Sequence, residues 1–364
     1  MTAARTLTRY ISWRFLIAII GVFALCMVLI FLIDFVELLR RSGKLGNVPV
    51  SMLAWLTLMR VPSAAEFALP FSVLIGSIGG FLMLSRSSEL VIVRAAGMSV
   101  WQFILPGILV AFAVGVIAVT VYNPLAAQTR LASEQLYTEL FGKQVSLLKT
   151  KRAGAWLRQE GIDGQSVIHA KNTANNGLSL VGVTALQFNK DGNLFERLEA
   201  ESAQLKDGRW ELRRVWVSAV GRQPAYYNNY ILSTYLTPTQ VTTALGSVYS
   251  LSFWELPEFI DIADRAGLPA VKYRLQFQSL LARPFLLAVM VLLAATCSLR
   301  AFRFGKVQTM VIVGLSAGFA FFIFSEVSRN FGVSGLAAPE VAAWAPAGIA
   351  GFLALTVLLH QEDG

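Results

Sequence analysis

The stretch "DFVELLRRSGK" begins at Asp34 and closes a long apolar run, and it gathers Glu37, Arg40, Arg41 and Lys44 within two helical turns. At helical spacing Glu37 pairs with Arg40 or Arg41. The planar fork of arginine holds two oxygens of a phosphate or carboxylate. Cations gathered at the end of an apolar segment are therefore suited to an anionic lipid headgroup. Used only structurally, the same arginines snorkel to a membrane interface. Asp34 lies about two turns deeper than Arg41. An acid at that depth faces a polar cavity or a partner helix.

A second stretch, "RSSELVIVRAAGMS", runs from Arg86 to Ser99 between two long apolar segments. Ser88 suits an N-cap and Glu89 the first turn, where the helix dipole favours an acid. Gly97 suits the stop. These signals predict a helix of about eight residues, or about 12 Å. Apart from Glu89 and Arg94 it is apolar on nearly every face, so it does not sit bare in water. It rests on the lipid interface or on its own spans, or it docks into a groove on a cytoplasmic partner. In the docked reading Leu90 and Val91 fill the groove, and Glu89 and Arg94 pair at its rim.

Other chemistry is hard to place. His169 and His360 are far apart and have no metal-ligand spacing, and Cys26 and Cys297 both sit in apolar segments. The pair forms no CxxC and no disulfide framework. No G-x-x-x-x-G-K-[ST] and no G-x-S-x-G occurs. "FGK" appears twice, at Phe141 and Phe304, without the rest of a phosphate-binding loop. No nucleophile–base or metal constellation stands out, so a membrane-embedded enzyme is disfavoured.

The elements that position these residues are set by hydrophobicity. Of 364 residues 55% are hydrophobic and 15% charged, with mean hydropathy +0.58. A soluble domain carries about 25% charged residues, so the composition is that of an integral membrane protein with a soluble part. The formal charge of +9 fits the positive-inside rule and anionic lipid rather than nucleic acid. A span needs about 20 apolar residues. Six runs meet that: about Phe15–Leu39, Pro62–Leu84, Trp101–Tyr122, Leu275–Leu299, Val307–Ser328 and Val341–Leu359. The first is too long for a cleavable leader and lacks a small-residue cleavage site. Arg5, Arg9, Arg14, Arg86, Arg94, Arg300, Arg303 and Lys306 fall on one side, which is assigned to the cytoplasm. Arg40, Arg41 and Lys44 then lie on the outer side, against the rule. "RTLTRYISWRF" reads as an interfacial helix leading into the first span. Gly76-x-x-x-Gly80 and Gly314-x-x-x-Gly318 suggest close helix packing, and Pro106, Pro284 and Pro346 suggest kinks.

Between the third and fourth spans, about Arg130 to Gly267 reads as β. "LQFNKDGNLFERLEAESAQLKDGRWELRRVWVSAV" alternates apolar and polar residues, and Asp191-Gly192 and Asp207-Gly208 supply hairpin turns. Further strands are expected around Ala155–Gln159 and Ser166–Ala170. The expected architecture is a membrane protein of six transmembrane α-helices (3+3) with an inserted periplasmic antiparallel β domain of jelly-roll type. Residues 1–129 form the first membrane block, with a coupling helix at 85–98; residues 130–267 form the β domain, and 268–364 the second block. No sequence repeat relates the two blocks.

This layout, with "RSSELVIVRAAGMS", "FVELLRRSGK" and "RPFLLAVMVLLA", resembles the lipopolysaccharide-export permease family, LptF/LptG. The resemblance covers essentially the whole chain. "GLSAGFAFFIFSEVSRNFG" is closer to the G-type branch than to the F-type. The resemblance implies a heterodimer with an F-type permease subunit (LptF), a cytoplasmic ATPase dimer (LptB) and a single-span adaptor (LptC) with its own periplasmic β domain. It implies extraction of lipopolysaccharide from the outer leaflet of a Gram-negative inner membrane and delivery to a periplasmic bridge. It implies no cofactor on this chain, with ATP-Mg used by the partner ATPase. Ser88, Glu89, Leu90, Val91, Arg94 and Gly97 correspond to the coupling segment. Arg40 and Arg41, with Lys44 nearby, correspond to the basic residues that meet the lipid phosphates. Asp34 stands where some members have lysine, so a cation contact there does not carry over. The acid pairs with a neighbouring helix, or the lipid site is arranged differently.

Rival readings are an F-type subunit of the same complex, a secondary lipid transporter and an anchored assembly protein. A secondary transporter requires inverted repeats and paired intramembrane charges. Asp34, Glu66 and Glu326 are the intramembrane acids available to it. An anchored protein requires one span, not six.

Overall fold

The computed structural model describes residues 2–45, 48–86, 99–145, 155–161, 164–174, 178–189, 193–206, 208–219, 221–235, 248–265, 270–304 and 307–363. Six of its helices are long and apolar enough to cross a membrane. The first half holds α1 (Thr2–Leu45), α2 (Val50–Arg86) and α3 (Val100–Ile117). A five-residue π turn, Ala118–Tyr122, carries α3 directly into α4 (Asn123–Val145). The second half holds α5 (Leu256–Arg265), α6 (Val271–Phe304), α7 (Val307–Val333) and α8 (Pro339–Asp363). All six expected spans are present, and the helices overrun them. The interfacial segment is simply the start of α1, where Arg14 donates to the Tyr10 hydroxyl at 2.6 Å.

The region expected as β is narrower than about Arg130 to Gly267. It is helical up to Val145, and helical again from Leu256 to Arg265. The residues after Arg130 look polar because polar and charged residues are interspersed with apolar ones, of which Leu136, Tyr137 and Leu140 pack on Leu38, Leu53 and Leu56. Pro124 stands in the first turn of α4 and has no N–H for the Thr120 carbonyl four residues back. The Trp254 indole supplies a donor to that carbonyl instead, at 3.1 Å. Just after Trp254, Glu255 accepts from the backbone N–H and the hydroxyl of Ser252, at 2.9 and 2.8 Å. This capping-box spacing starts α5. Leu256, Phe259, Ile260 and Ala263 then form one face, packed with Tyr273, Phe277 and Leu280 of α6.

The membrane core is built by α1, α2, α3, α6 and α8 around Phe15, Phe81, Ile104, Leu287 and Val291. Glycines set the closest approaches. A Cβ on Gly76 would stand 2.7 Å from the Ile19 backbone, and one on Gly115 would stand 2.5 Å from Cα of Pro284. Gly80 packs loosely against Phe15, whereas Gly314 and Gly318 take the side chains of Ile78 and Leu74. Through those two glycines α7 leans on α2, yet only 11% of its most apolar stretch is buried, against 56% for α2. Pro106, Pro284 and Pro346 lie inside helices that run on through them.

The β domain is one antiparallel sheet in plain chain order: β1 (Ala155–Gly161), β2 (Gly164–Ala174), β3 (Ser179–Phe188), β4 (Leu194–Lys206), β5 (Arg209–Ala219) and β6 (Ala225–Ser233). Among the described strands every connection is to the next neighbour, as in a meander. The sheet rolls until β1 meets β6. The buried Gln159 side chain donates to the Ser166 hydroxyl at 3.0 Å and to the Ser233 carbonyl at 3.3 Å, and accepts from the Trp210 indole at 2.8 Å. One line of residues crosses the roll without pairing: Lys171, Gly182, Glu201, Arg214 and Asn228 are skipped in successive registers. Gly182 (φ +65°) and Arg214 (φ +54°) are left-handed there, and Arg214 pairs with Glu201 at 2.5 Å. In β5 the inward set changes parity across this line, from Trp210 and Leu212 to Val215 and Val217. The line is thus a crease that bends every strand it crosses.

Two outcomes follow. Gly76→Val forces α1 and α2 apart; a destabilisation of about 1–3 kcal/mol is expected for such overpacking, measured as a lowered thermal midpoint in detergent. Gln159→Leu leaves the Trp210 indole buried without an acceptor. A loss of about 1–3 kcal/mol is expected, measured as a lower urea midpoint for protease resistance of the sheet in the full chain.

Candidate functional site

At the β-domain end of the spans α1, α2 and α4 diverge and leave a cavity of about 740 Å³. Asp34, Glu37 and Arg41 reach it from α1, Arg60 from α2, and Arg130, Glu134 and Tyr137 from α4. Its floor is apolar, with Ile30, Ile33, Val61 and Phe67. The residues share a face because each helix repeats at about 3.6. Asp34, Glu37 and Arg41 are one α1 stripe, and Arg130, Ser133, Glu134 and Tyr137 are one α4 stripe.

Each arginine of this cavity already holds a carboxylate. Arg41 Nε donates to Glu37 at 2.8 Å, Arg60 reaches Asp34 at 3.1 Å across helices, and Arg130 donates to Glu134 at 3.1 Å. Three cations therefore face three acids, and the lining is charge-balanced, not simply basic. Charges near hydrocarbon are costly unless paired, which is why the balance is local. The second oxygen of Asp34, Oδ2, is buried with no hydrogen-bond donor among the described residues.

A strap returning from the β domain closes one side. Tyr249 lies between two guanidinium groups, with Arg130 at 5.5 Å and Arg329 of α7 at 5.4 Å from its ring centre. The Ser250 hydroxyl reaches Glu134 at 3.5 Å. The Phe253 backbone N–H donates to Asn123 at 2.8 Å, and Asn123 donates to the buried Glu66 at 3.0 Å. Arg283 of α6 stands 3.5 Å from the same Glu66 oxygen.

The expected lipid contacts therefore divide. Arg41 and Asp34 line the cavity, and the partner helix of Asp34 is α2, through Arg60. Arg40 does not line it; it pairs with Glu37 at 2.9 Å and its side chain is 69% exposed. The side chain of Lys44 lies outside the described residues, as do Ser88, Glu89, Leu90, Val91, Arg94 and Gly97 entirely. Sequence reasoning passed over Arg60, Arg130, Arg283 and Arg329. The signal lies in the sequence, since a basic residue inside or beside a span is as unusual as an acidic one.

Comparison with known proteins agrees with this architecture. The family profile described as lipopolysaccharide export system permease LptF/LptG matches residues 9–360. The chain is 25% identical over 337 residues to the lipopolysaccharide export system permease protein LptG of Haemophilus influenzae, covering 88% of this chain and 89% of that one. It is 24% identical over 328 residues to the protein of the same name from Escherichia coli K12, with the same coverage. With six membrane-spanning helices around an inserted antiparallel sheet, the chain is a multi-pass membrane protein belonging to the LptF/LptG family of lipopolysaccharide export permeases.

Proposed function

We propose that this chain is the G-type permease subunit of an ATP-driven exporter in a Gram-negative inner membrane, with its β domain in the periplasm. The observation that carries this reading is the charge-paired cavity, placed where the spans meet the β domain and floored by apolar side chains. A phosphorylated, multiply acylated lipid presents both chemistries at once. Its phosphates take arginine donors from the carboxylates that hold them, and its chains lie on the floor. The LptG names of both relatives favour the G-type over the F-type.

Expulsion needs external energy, because each buried CH₂ costs about 0.8 kcal/mol to expose. No phosphate-binding loop occurs in the sequence. A cytoplasmic ATPase dimer therefore supplies the work from ATP-Mg, through the segment that joins α2 to α3 and includes Ser88, Glu89, Leu90, Val91, Arg94 and Gly97. An F-type permease forms the facing wall of the cavity, and closure of the ATPase narrows the space between the two. Lipopolysaccharide then passes from the outer leaflet toward a periplasmic bridge with a single-span adaptor.

The carboxylates in this scheme set release as well as order. With Asp34→Asn, Arg60 loses its acid and holds a phosphate longer. About fivefold more lipopolysaccharide is expected to co-purify, with slower release; about 1 kcal/mol suits a partly exposed pair. Weaker retention would contradict the exchange. Glu89→Lys is expected to leave the chain inserted while ATP hydrolysis continues without lipid release in reconstituted liposomes. Normal coupled release by that variant removes the segment from the coupling role.

A further inference from the structure

A second, smaller cavity of about 150 Å³ lies between α2, α6, α7 and α8. It shares only Phe67 with the larger one. Its lining changes character along the helix axes. On α6 it runs from Gln276 through Arg283 to Met290, and on α7 from Arg329 through Ser325 to Gly318. Gln276 and Met290 are about 21 Å apart along their helix. The polar end faces the β domain, and the apolar end, with Leu286 and Phe321, lies toward the middle of the spans.

Two donors along this lining lack acceptors among the described residues. Arg283 NH1 and Arg329 Nε are buried with no hydrogen-bond partner among the described residues. Both guanidinium groups do have a charge nearby. Glu66 stands 3.5 Å from Arg283 without hydrogen-bond geometry, and Glu326 accepts from Arg329 NH2 at 3.2 Å. A buried N–H without an acceptor is unfavourable, so the two arginines call for an oxygen that the described residues do not provide. A simple anion is a poor match, because two acids line the same cavity. Glu66 is buried and engaged by Asn123, while the side chain of Glu326 is about half exposed. A group with a negative centre flanked by a positive one fits both arginines and the free side of Glu326.

We infer that this cavity holds a resident zwitterionic glycerophospholipid bearing a primary amine. Its phosphate oxygens accept from Arg283 and Arg329, its ammonium faces Glu326, and one acyl chain runs along Met290, Phe321 and Gly318. The cavity is about a fifth the volume of the other, 150 against 740 Å³, so it receives a headgroup and part of one chain and not a multiply acylated lipid. The lipid fills the gap behind α7, the span that otherwise leans on its neighbours through Gly314 and Gly318. It is a fixed component, separate from any transported lipid.

The test uses the full complex reconstituted in nanodiscs of phosphatidylethanolamine and phosphatidylglycerol in equal amounts, then extracted and weighed by native mass spectrometry. One phosphatidylethanolamine is expected to stay with each chain, and the double variant Arg283→Gln, Arg329→Gln is expected to lower its retention at least tenfold. A photo-crosslinker at Ser325 in the otherwise unaltered chain gives an answer that does not depend on how the variant folds. Capture of phosphatidylethanolamine supports the assignment. Capture of phosphatidylglycerol in equal measure, of added lipopolysaccharide, or of no lipid overturns it, as does undiminished retention by the double variant.

Discussion

A charge at membrane depth must bring its counter-charge with it. That constraint organises the β-domain end of the spans. Arg60 can stand in α2 because Asp34 meets it from α1, Arg130 because Glu134 lies one turn on, and Arg283 because Glu66 is beside it. Removing one member of such a pair leaves the other uncompensated, while the pair itself adds little net stability. Its worth is positional. Arg60 and Arg130 line the cavity with apolar Ile30, Ile33, Val61 and Phe67, and Arg283 lines the smaller one.

The same constraint explains what could be foreseen from the chain alone. Six apolar runs, the acidic and basic residues after Asp34 and the alternation of residues 194–219 were legible, because each is a local pattern. The strands β1 and β2 were legible for the same reason. The pairing of Asp34 with Arg60 was foreseen only in kind, since the partner lies 26 positions away and depends on how two helices cross. Arg130 was hidden by a misplaced boundary: α4 looks polar because polar and charged residues are interspersed with its apolar ones. The start of α5 is written in the sequence as Ser252-Phe-Trp-Glu255, a capping box inside a region whose neighbours read as β.

The membrane block is unequally knit. The core joins α1, α2, α3, α6 and α8, while α7 is attached at its margin. Its grip comes from its own Gly314 and Gly318, which take Ile78 and Leu74 of α2, from contacts with α6 and α8, and from Arg329 stacked on Tyr249. Tyr249 is also the point where the chain leaves the β domain for the second block, and its ring carries Arg130 of α4 on the same terms. The apolar stretch of α7 is among the least buried of the six spans, and a cavity lies beside it.

The crease across the sheet has a mechanical meaning of its own. Antiparallel strands that alternate perfectly can slide by two residues and find every side chain on its proper face again. Here Lys171, Gly182, Glu201, Arg214 and Asn228 each interrupt that rhythm at one level. Any slip carries one interruption past its neighbours and turns inward residues outward beyond that point. The five positions act as the teeth of a single notch that locks the strands against sliding.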